Sequence, residues 1–127
     1  MIEIQAVTID AENPYEIASW WSKATGLPLG EGDKPGDDDV MVRTGQDPFL
    51  LFQRVPEGKT VKNRVHLDVM ATEGRTRDEE VERLIGLGAT VHADLRQPDG
   101  SGWVTMLDPE GNEFCVCRNE AERESQG

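Results

Sequence analysis

One histidine and two cysteines carry the side chains of this sequence that are best suited to chemistry. His66 lies in an alternating stretch from Val65 to Asp68 that predicts a strand. An imidazole with a pKa of about 6.5 suits proton transfer or metal ligation, and the other interpretation is a hydrogen bond to a strand neighbour. Cys115 and Cys117 are separated by one residue, so a strand would place both thiols on one face. They could bind a metal or react as thiolates, or fill the core as small apolar residues, and no disulfide between them is expected.

Two further side chains could contact a ligand, and a second histidine is not expected to. Gln53 could orient a carbonyl or hydroxyl group of a ligand through its amide, or make an ordinary cross-strand hydrogen bond. Trp103 follows the flexible segment Gly100-Ser101-Gly102 and could stack on a planar ligand. Packing of Trp103 in the core is the preferred interpretation. His92 is expected to lie on the surface of a strand.

The composition excludes several classes of partner. The chain has 127 residues, with 13 Lys and Arg against 25 Asp and Glu, which gives a net charge of -12. Nucleic acid and anionic membranes require a basic surface, so neither is an expected partner. The acidic run at 32–39 lacks the spaced ligands of a calcium loop and is interpreted as a solvated loop. No apolar run is long enough to span a bilayer, and the two cysteines favour a reduced, cytoplasmic protein.

The chain reads as two similar halves, each with one strand, one helix and then about three strands. Capping signals at Asn13-Pro14 and at Thr76 mark the starts of the two helices. The predicted strands cover 2–10, 40–43 and 49–55 in the first half, and 64–69, 90–93, 103–107 and 114–118 in the second. Residues 119–127 are expected to form a frayed polar tail.

The two halves can be aligned with each other. Val7-Thr8-Ile9-Asp10 matches Val65-His66-Leu67-Asp68, and Phe52-Gln53-Arg54 matches Val116-Cys117-Arg118. This alignment gives Asp10 and Asp68 matching positions, where we expect them to be solvated or paired with arginines. A half of about 60 residues buries its sheet poorly alone, so the halves are expected to pack together.

Three segments make the chain resemble the vicinal oxygen chelate superfamily, and within it the bacterial glyoxalase-like domain group. They are 7–27, with Asn13-Pro14, Trp20-Trp21 and Thr25-Gly26-Leu27; 52–69, with Phe52-Gln53-Arg54 and His66-Leu67-Asp68; and Asp108-Pro109-Glu110-Gly111-Asn112-Glu113-Phe114. The resemblance implies an α+β fold of two βαβββ modules that form an eight-stranded, partly open curved sheet around a cavity. It implies a single glyoxalase-like domain over 1–127, with module one at about 1–57, module two at about 62–118 and a polar tail at 119–127. It also implies a homodimer.

The resemblance places a candidate site on the concave face of the sheet. Metal-dependent members take one ligand from the first strand and one from the last strand of each module. The corresponding candidates are Thr8 or Ala6, Gln53 or Leu51, His66, and Cys115, Cys117 or Glu113. Only His66 is a strong ligand in kind, so no cofactor is expected, with a divalent metal as the alternative.

We therefore predict a glyoxalase-like protein that binds a small molecule and acts as an isomerase or lyase of unknown substrate, with an incomplete metal site. The alternatives are a metal-free binding protein of the bleomycin-resistance kind, and a dimerisation or regulatory module with a disused site. His66 and Gln53 are the expected catalytic residues. The expected substrate contacts are Thr8, Trp103, Cys115 and Cys117.

Overall fold

The computed structural model describes residues 1–125, and the chain divides into two units, Met1–Gly58 and Lys59–Gly127. Unit 1 contains strand β1 (Ala6–Ala11), helix α1 (Pro14–Thr25), and strands β2 (Asp39–Val42) and β3 (Phe49–Arg54). Its sheet has the order β1-β3-β2, with β1 parallel and β2 antiparallel to β3. An isolated bridge joins Leu29 to Val42 at the β2 edge.

Unit 2 repeats this topology with one more complete strand. It contains β4 (Leu67–Met70), α2 (Arg77–Gly86), β5 (Thr90–Asp94), β6 (Trp103–Leu107), β7 (Glu113–Cys117) and α3 (Glu120–Ser125). The strand order is β4-β7-β6-β5, with β4 parallel to β7. The Leu29 bridge in unit 1 therefore takes the place of β5. The α+β class and the two repeated modules are confirmed, with seven strands and one bridge over residues 1–125 where eight strands are predicted.

Helices α1 and α2 each pack against the sheet of their own unit. In unit 1, α1 packs on β2 and β3 through Ile17 and the buried pair Trp20 and Trp21, whose rings meet edge to face with centroids 5.1 Å apart. In unit 2, α2 packs on β7, and Val81 is almost fully buried. On the two central strands, β6 and β7, the inner face of that sheet consists of fully buried apolar residues, each contributing roughly 1.5–3 kcal/mol through burial. They are Val104, Met106, Phe114 and Val116.

The structure differs from the predictions at the start of α1 and in the segment after β7. The capping box at Thr76 and Glu79 forms as predicted. At α1 the Asn13 side chain makes no capping bond, and its backbone carbonyl accepts from the Ile17 N–H at 3.1 Å. The predicted frayed tail is instead the helix α3, which begins at a capping box: Asn119 Oδ1 accepts from the Glu122 N–H at 2.9 Å, and the Glu122 carboxylate accepts from the Asn119 N–H at 3.1 Å. The buried Asn119 amide also donates to the carbonyl oxygens of residues 71 and 75, which anchors the start of α3. Residues 126–127 of the predicted tail lie outside the described residues.

No helix within residues 1–125 is both long enough and apolar enough to cross a bilayer.

Candidate functional site

Three neighbouring strands of unit 2 bring together side chains that could do chemistry. The register places Asp68 of β4 opposite Cys115 of β7, and Cys115 opposite Thr105 of β6. Because side chains alternate along a strand, these residues share one face, which we call the front face of unit 2. His66 directly precedes β4, and ligand atoms of His66, Asp68 and Cys115 all lie within 4.8 Å of one another. We call these three residues the His–Asp–Cys cluster.

The cluster is open to solvent at one end and closed at the other. His66 Nε2 lies 3.2 Å from Asp68 Oδ1, and these side chains are 43% and 65% exposed. Cys115 is only 6% exposed, and its Sγ lies 3.4 Å from Thr105 Oγ1. Nitrogen, oxygen and sulfur donors in this arrangement can hold a proton, bind a divalent ion or contact a polar ligand.

Trp103 and Cys117 lie one row further along the front face, opposite each other on β6 and β7. Trp103 is 44% exposed, so the expectation that it packs in the core is wrong, and a planar ligand can reach its ring. Burial raises the pKa of the Cys117 thiol, and the neighbouring acidic groups of Asp68 and Cys115 add to the increase. Cys117 is therefore a neutral thiol at pH 7. Both cysteines are free, as predicted.

A buried arginine fixes the segment that leads into Trp103. Arg77 is 5% exposed, and its Nη1 donates to the three carbonyl oxygens of residues 100–102 at 2.9–3.2 Å. Gly102 has a φ of +89°, and a Cβ at this position would lie 2.1 Å from the Leu95 carbonyl oxygen. The segment 100–102 can therefore lie this close to the Leu95 backbone only because residue 102 is glycine. These contacts position Trp103 at the start of β6.

Glu113, the acidic candidate in the last strand, serves a structural role. It is buried, and its carboxylate accepts from Lys59 Nζ at 3.0 Å and from the Asn63 backbone N–H at 2.9 Å. Burial by itself raises the pKa of Glu113, but the Asn63 N–H and the Lys59 ammonium outweigh it and hold the pKa below its usual value. Its two oxygens join the segment before β4 to β7.

The turn before β7 forms as the sequence predicts. Asp108 Oδ1 accepts from the backbone N–H groups of Glu110 at 2.9 Å and Asn112 at 3.0 Å. This compact turn brings the chain back antiparallel to β6, which places Cys115 opposite Thr105.

The two candidates of unit 1 lie in different rows of its sheet. Thr8 is exposed and opposite Leu51, whereas Gln53 lies between Asp10 and Asp39. The Gln53 amide donates to Asp39 Oδ1 at 3.2 Å. Of the six residues expected to form the site, four lie in unit 2: His66, Trp103, Cys115 and Cys117.

The strand registers correct the alignment of the two halves. Asp10 is opposite Gln53 and precedes the buried Ala11, whereas Met70 is opposite Cys117 and precedes the buried Ala71. Asp10 therefore corresponds to Met70, and the predicted match of Asp10 with Asp68 is wrong by two residues.

By the same registers, the unit 1 residues that correspond to His66 and Cys115 are Ala6 and Leu51. Asp68 pairs with His66 instead of an arginine. The sequence contained one signal for this pair, because residues two apart in a strand share a face.

A groove of about 610 Å³ lies at the ends of the unit 1 strands. Its lining consists of Glu12, Asn13, Asp38, Asp39, Gln53, Arg54, Val55 and Pro56. Arg54 spans it, with Nε 2.9 Å from Asp38 Oδ1 and Nη1 donating to the Glu12 carbonyl at 2.7 Å. Three carboxylates against one guanidinium give the groove a net negative lining.

The profile of the family described as Glyoxalase-like domain matches residues 6–117. The chain belongs to the glyoxalase-like domain family. The match covers both units and confirms the resemblance to the vicinal oxygen chelate superfamily.

Solved structures share the fold of this glyoxalase-like chain at low sequence identity. A glyoxalase/bleomycin resistance protein/dioxygenase family enzyme from Burkholderia phytofirmans PsJN has a TM-score of 0.67 and 20% identity, over 91% of this chain and 97% of that one. Lactoylglutathione lyase from Agrobacterium tumefaciens has a TM-score of 0.63 and 21% identity, over 91% and 92%. The oxidase ChaP-H2 has a TM-score of 0.61 and 16% identity, over 93% and 94%. No curated protein sequence matches the chain.

Because the glyoxalase-like neighbours include a lyase and an oxidase, the fold alone does not define a reaction. The side chains that distinguish this chain lie on the front face of unit 2 and in the unit 1 groove.

Proposed function

We propose that this glyoxalase-like protein is a lyase or isomerase that acts on a small molecule with neighbouring oxygen atoms, with the His–Asp–Cys cluster as its reactive centre. The observation that carries the proposal is the convergence of an imidazole, a carboxylate and a thiol within 4.8 Å. Two of the three groups are exposed, so a substrate can reach them.

Each residue of the cluster has a role that follows from its contacts. Asp68 Oδ1 lies 3.2 Å from His66 Nε2, so its carboxylate can stabilise the imidazole when the ring carries a proton. Thr105 contacts the Cys115 sulfur and holds the closed end of the cluster. Trp103, one row away, offers an aromatic surface for the rest of the substrate.

Ligand binding that depends on His66 tests this proposal. Compounds with adjacent carbonyl, hydroxyl or carboxylate groups are screened by thermal shift with the wild type, because a ligand that binds only the folded state raises its stability. We expect compounds that stabilise the wild type to lose their effect in His66→Ala. They should keep it in His92→Ala, the matched control, since His92 is also exposed on a strand of unit 2. Equal shifts in both variants would contradict the assignment.

A second candidate function is the sequestration of a cationic compound, and the unit 1 groove favours it. The groove has a volume in the range of small-molecule sites and carries three carboxylates. Planar cationic compounds should bind the wild type, and binding should weaken in Asp39→Asn, which removes a charge that Gln53 Nε2 contacts. Binding that is insensitive to Asp39→Asn and absent in His66→Ala would place the ligand at the cluster instead.

A further inference from the structure

We propose that the His–Asp–Cys cluster is a binding site for zinc or a similar thiophilic divalent ion, complete within unit 2. The inference rests on the proposed function in assigning the reactive centre to these three residues, and it specifies what they hold. It differs from the metal site that the family resemblance implies, which draws ligands from both modules.

The residues of unit 1 do not fit the two-module metal site. The structural counterparts of His66 and Cys115 in unit 1 are Ala6 and Leu51, whose side chains carry no donor atom. The alternative candidates Thr8 and Gln53 offer only a neutral hydroxyl and a neutral amide, so unit 1 supplies no strong ligand for a two-module site.

Unit 2 offers a third ligand, Asp68, that was not among the metal ligands expected from the sequence. Asp68 adds a carboxylate to the imidazole of His66 and the thiol of Cys115. Tetrahedral zinc, with bonds of about 2.0 Å to nitrogen or oxygen and about 2.3 Å to sulfur, requires ligand atoms roughly 3.3–3.6 Å apart. The His66 Nε2 to Asp68 Oδ1 distance is 3.2 Å, and all three ligand atoms already lie within 4.8 Å. Side-chain adjustments of about an ångström complete the set.

The sulfur ligand determines which ions the site selects. A thiolate favours zinc, cobalt and other borderline or soft ions over magnesium and calcium, which prefer oxygen ligands. Thr105 Oγ1, 3.4 Å from Cys115 Sγ, can donate to the thiolate and orient it as an outer-shell partner. The cluster thus has both a ligand set and a supporting contact.

Three protein ligands leave a fourth position for a substrate atom. Sites with three protein ligands and an open position are typical of catalytic zinc. The open position would lie at the exposed end of the cluster, because His66 and Asp68 are the exposed ligands. A thiolate is the form of cysteine that binds a metal, so ion binding replaces the proton on the Cys115 thiol and loading releases a proton.

Titration of the purified full chain with Co²⁺ tests this inference without any assay of activity. We expect one equivalent of Co²⁺ to produce a sulfur-to-cobalt charge-transfer band in the near ultraviolet, and Zn²⁺ but not Mg²⁺ to abolish it. Cys115→Ser should lose the band, and His66→Ala and Asp68→Asn should weaken binding. Thr105→Val should weaken it roughly tenfold, as expected for an outer-shell partner.

The controls are Cys117→Ser and His92→Ala, which should bind Co²⁺ as the wild type does. Should Cys115→Ser not fold, the exposed substitution His66→Ala gives the decisive comparison. A wild type without the band, or a band that depends on Cys117 and not on Cys115, would overturn the inference. Absence of metal binding together with His66-dependent binding of small molecules would overturn the inference alone and leave the proposed function standing.

Discussion

Replacement of Glu113 by glutamine tests whether this carboxylate has a structural role or belongs to the His–Asp–Cys cluster. The nearest member of the cluster along the chain, Cys115, is two residues away on β7. Glu113 is 8% exposed and accepts two hydrogen bonds, one from the partly exposed Lys59 ammonium and one from the Asn63 N–H. In Glu113→Gln the amide oxygen can still accept from Asn63. The amide nitrogen then faces the Lys59 ammonium, so the charge-assisted bond is lost.

The expected cost is about 2 kcal/mol of unfolding free energy. A hydrogen bond to a charged group is worth roughly 1.5–3 kcal/mol, and loss of one member of a fully buried pair costs roughly 3–5 kcal/mol. The Lys59 side chain is 20% exposed, so water partly replaces the lost carboxylate. The expected cost therefore falls in the range for a charged hydrogen bond and not in the range for a fully buried pair. For a domain of this size, about 2 kcal/mol lowers the Tm by roughly 6–10 °C.

Denaturant and thermal unfolding at several pH values provide the assay. The pKa of Glu113 is lowered in the folded state, so its stabilising contribution is present above the unfolded pKa of about 4.3 and is lost as the pH falls through the folded pKa. The difference between wild type and Glu113→Gln should therefore be large at pH 7 and shrink in acid. Glu82→Gln, at an exposed carboxylate on α2, is the control and should change stability by less than about 0.5 kcal/mol.

Two results would contradict a structural role for Glu113. One is a stability loss at pH 7 below about 0.5 kcal/mol, the range of ordinary surface substitutions. The other is a many-fold loss of Co²⁺ affinity in Glu113→Gln, which would make Glu113 a member of the cluster.

Three further predictions concern the rest of the chain. Gly102→Ala should cost about 2 kcal/mol or more, because its Cβ would meet the Leu95 carbonyl at a φ of +89°; Gly86→Ala, with open space around its Cβ, should be neutral or stabilising in the same unfolding assay. Arg96→Met should raise the pKa of Asp94 from about 2 in a carboxyl NMR titration, chiefly through loss of the Arg96 hydrogen bond. The associated stability difference should vanish as the pH falls to about 2. Light scattering at micromolar concentration should give a dimer mass, and a monomer would contradict the homodimer expected from the resemblance.

The repeated architecture could be predicted from sequence because local signals agree with the tertiary fold. The capping box at Thr76, the positive-φ Gly26 after α1 and the Asp108 turn all form where their sequences indicate. The prediction of a frayed tail was wrong because it did not use the spacing of Asn119 and Glu122, which form a capping box at the start of α3. The contacts of Asn119 with residues 71 and 75 have no sign in the sequence. The Leu29 bridge was likewise not predicted, since a single bridged residue has no periodicity.

The site was harder to predict because it depends on strand register. His66, Cys115 and Cys117 could be named from residue type and spacing. Asp68 could not be assigned, because only the pairing of β4 with β7 places it opposite Cys115. A two-residue error keeps every side chain on the same face, so the pattern of apolar and polar residues cannot detect it.

The most direct test of the central claim is a crystal structure of the protein grown with Zn²⁺, with diffraction data collected on both sides of the zinc absorption edge. We expect one anomalous peak within about 2.0–2.3 Å of His66 Nε2, an Asp68 oxygen and Cys115 Sγ, with the fourth position open to solvent or a ligand. An anomalous map with no peak at these residues, or with zinc bound at other residues only, would contradict it.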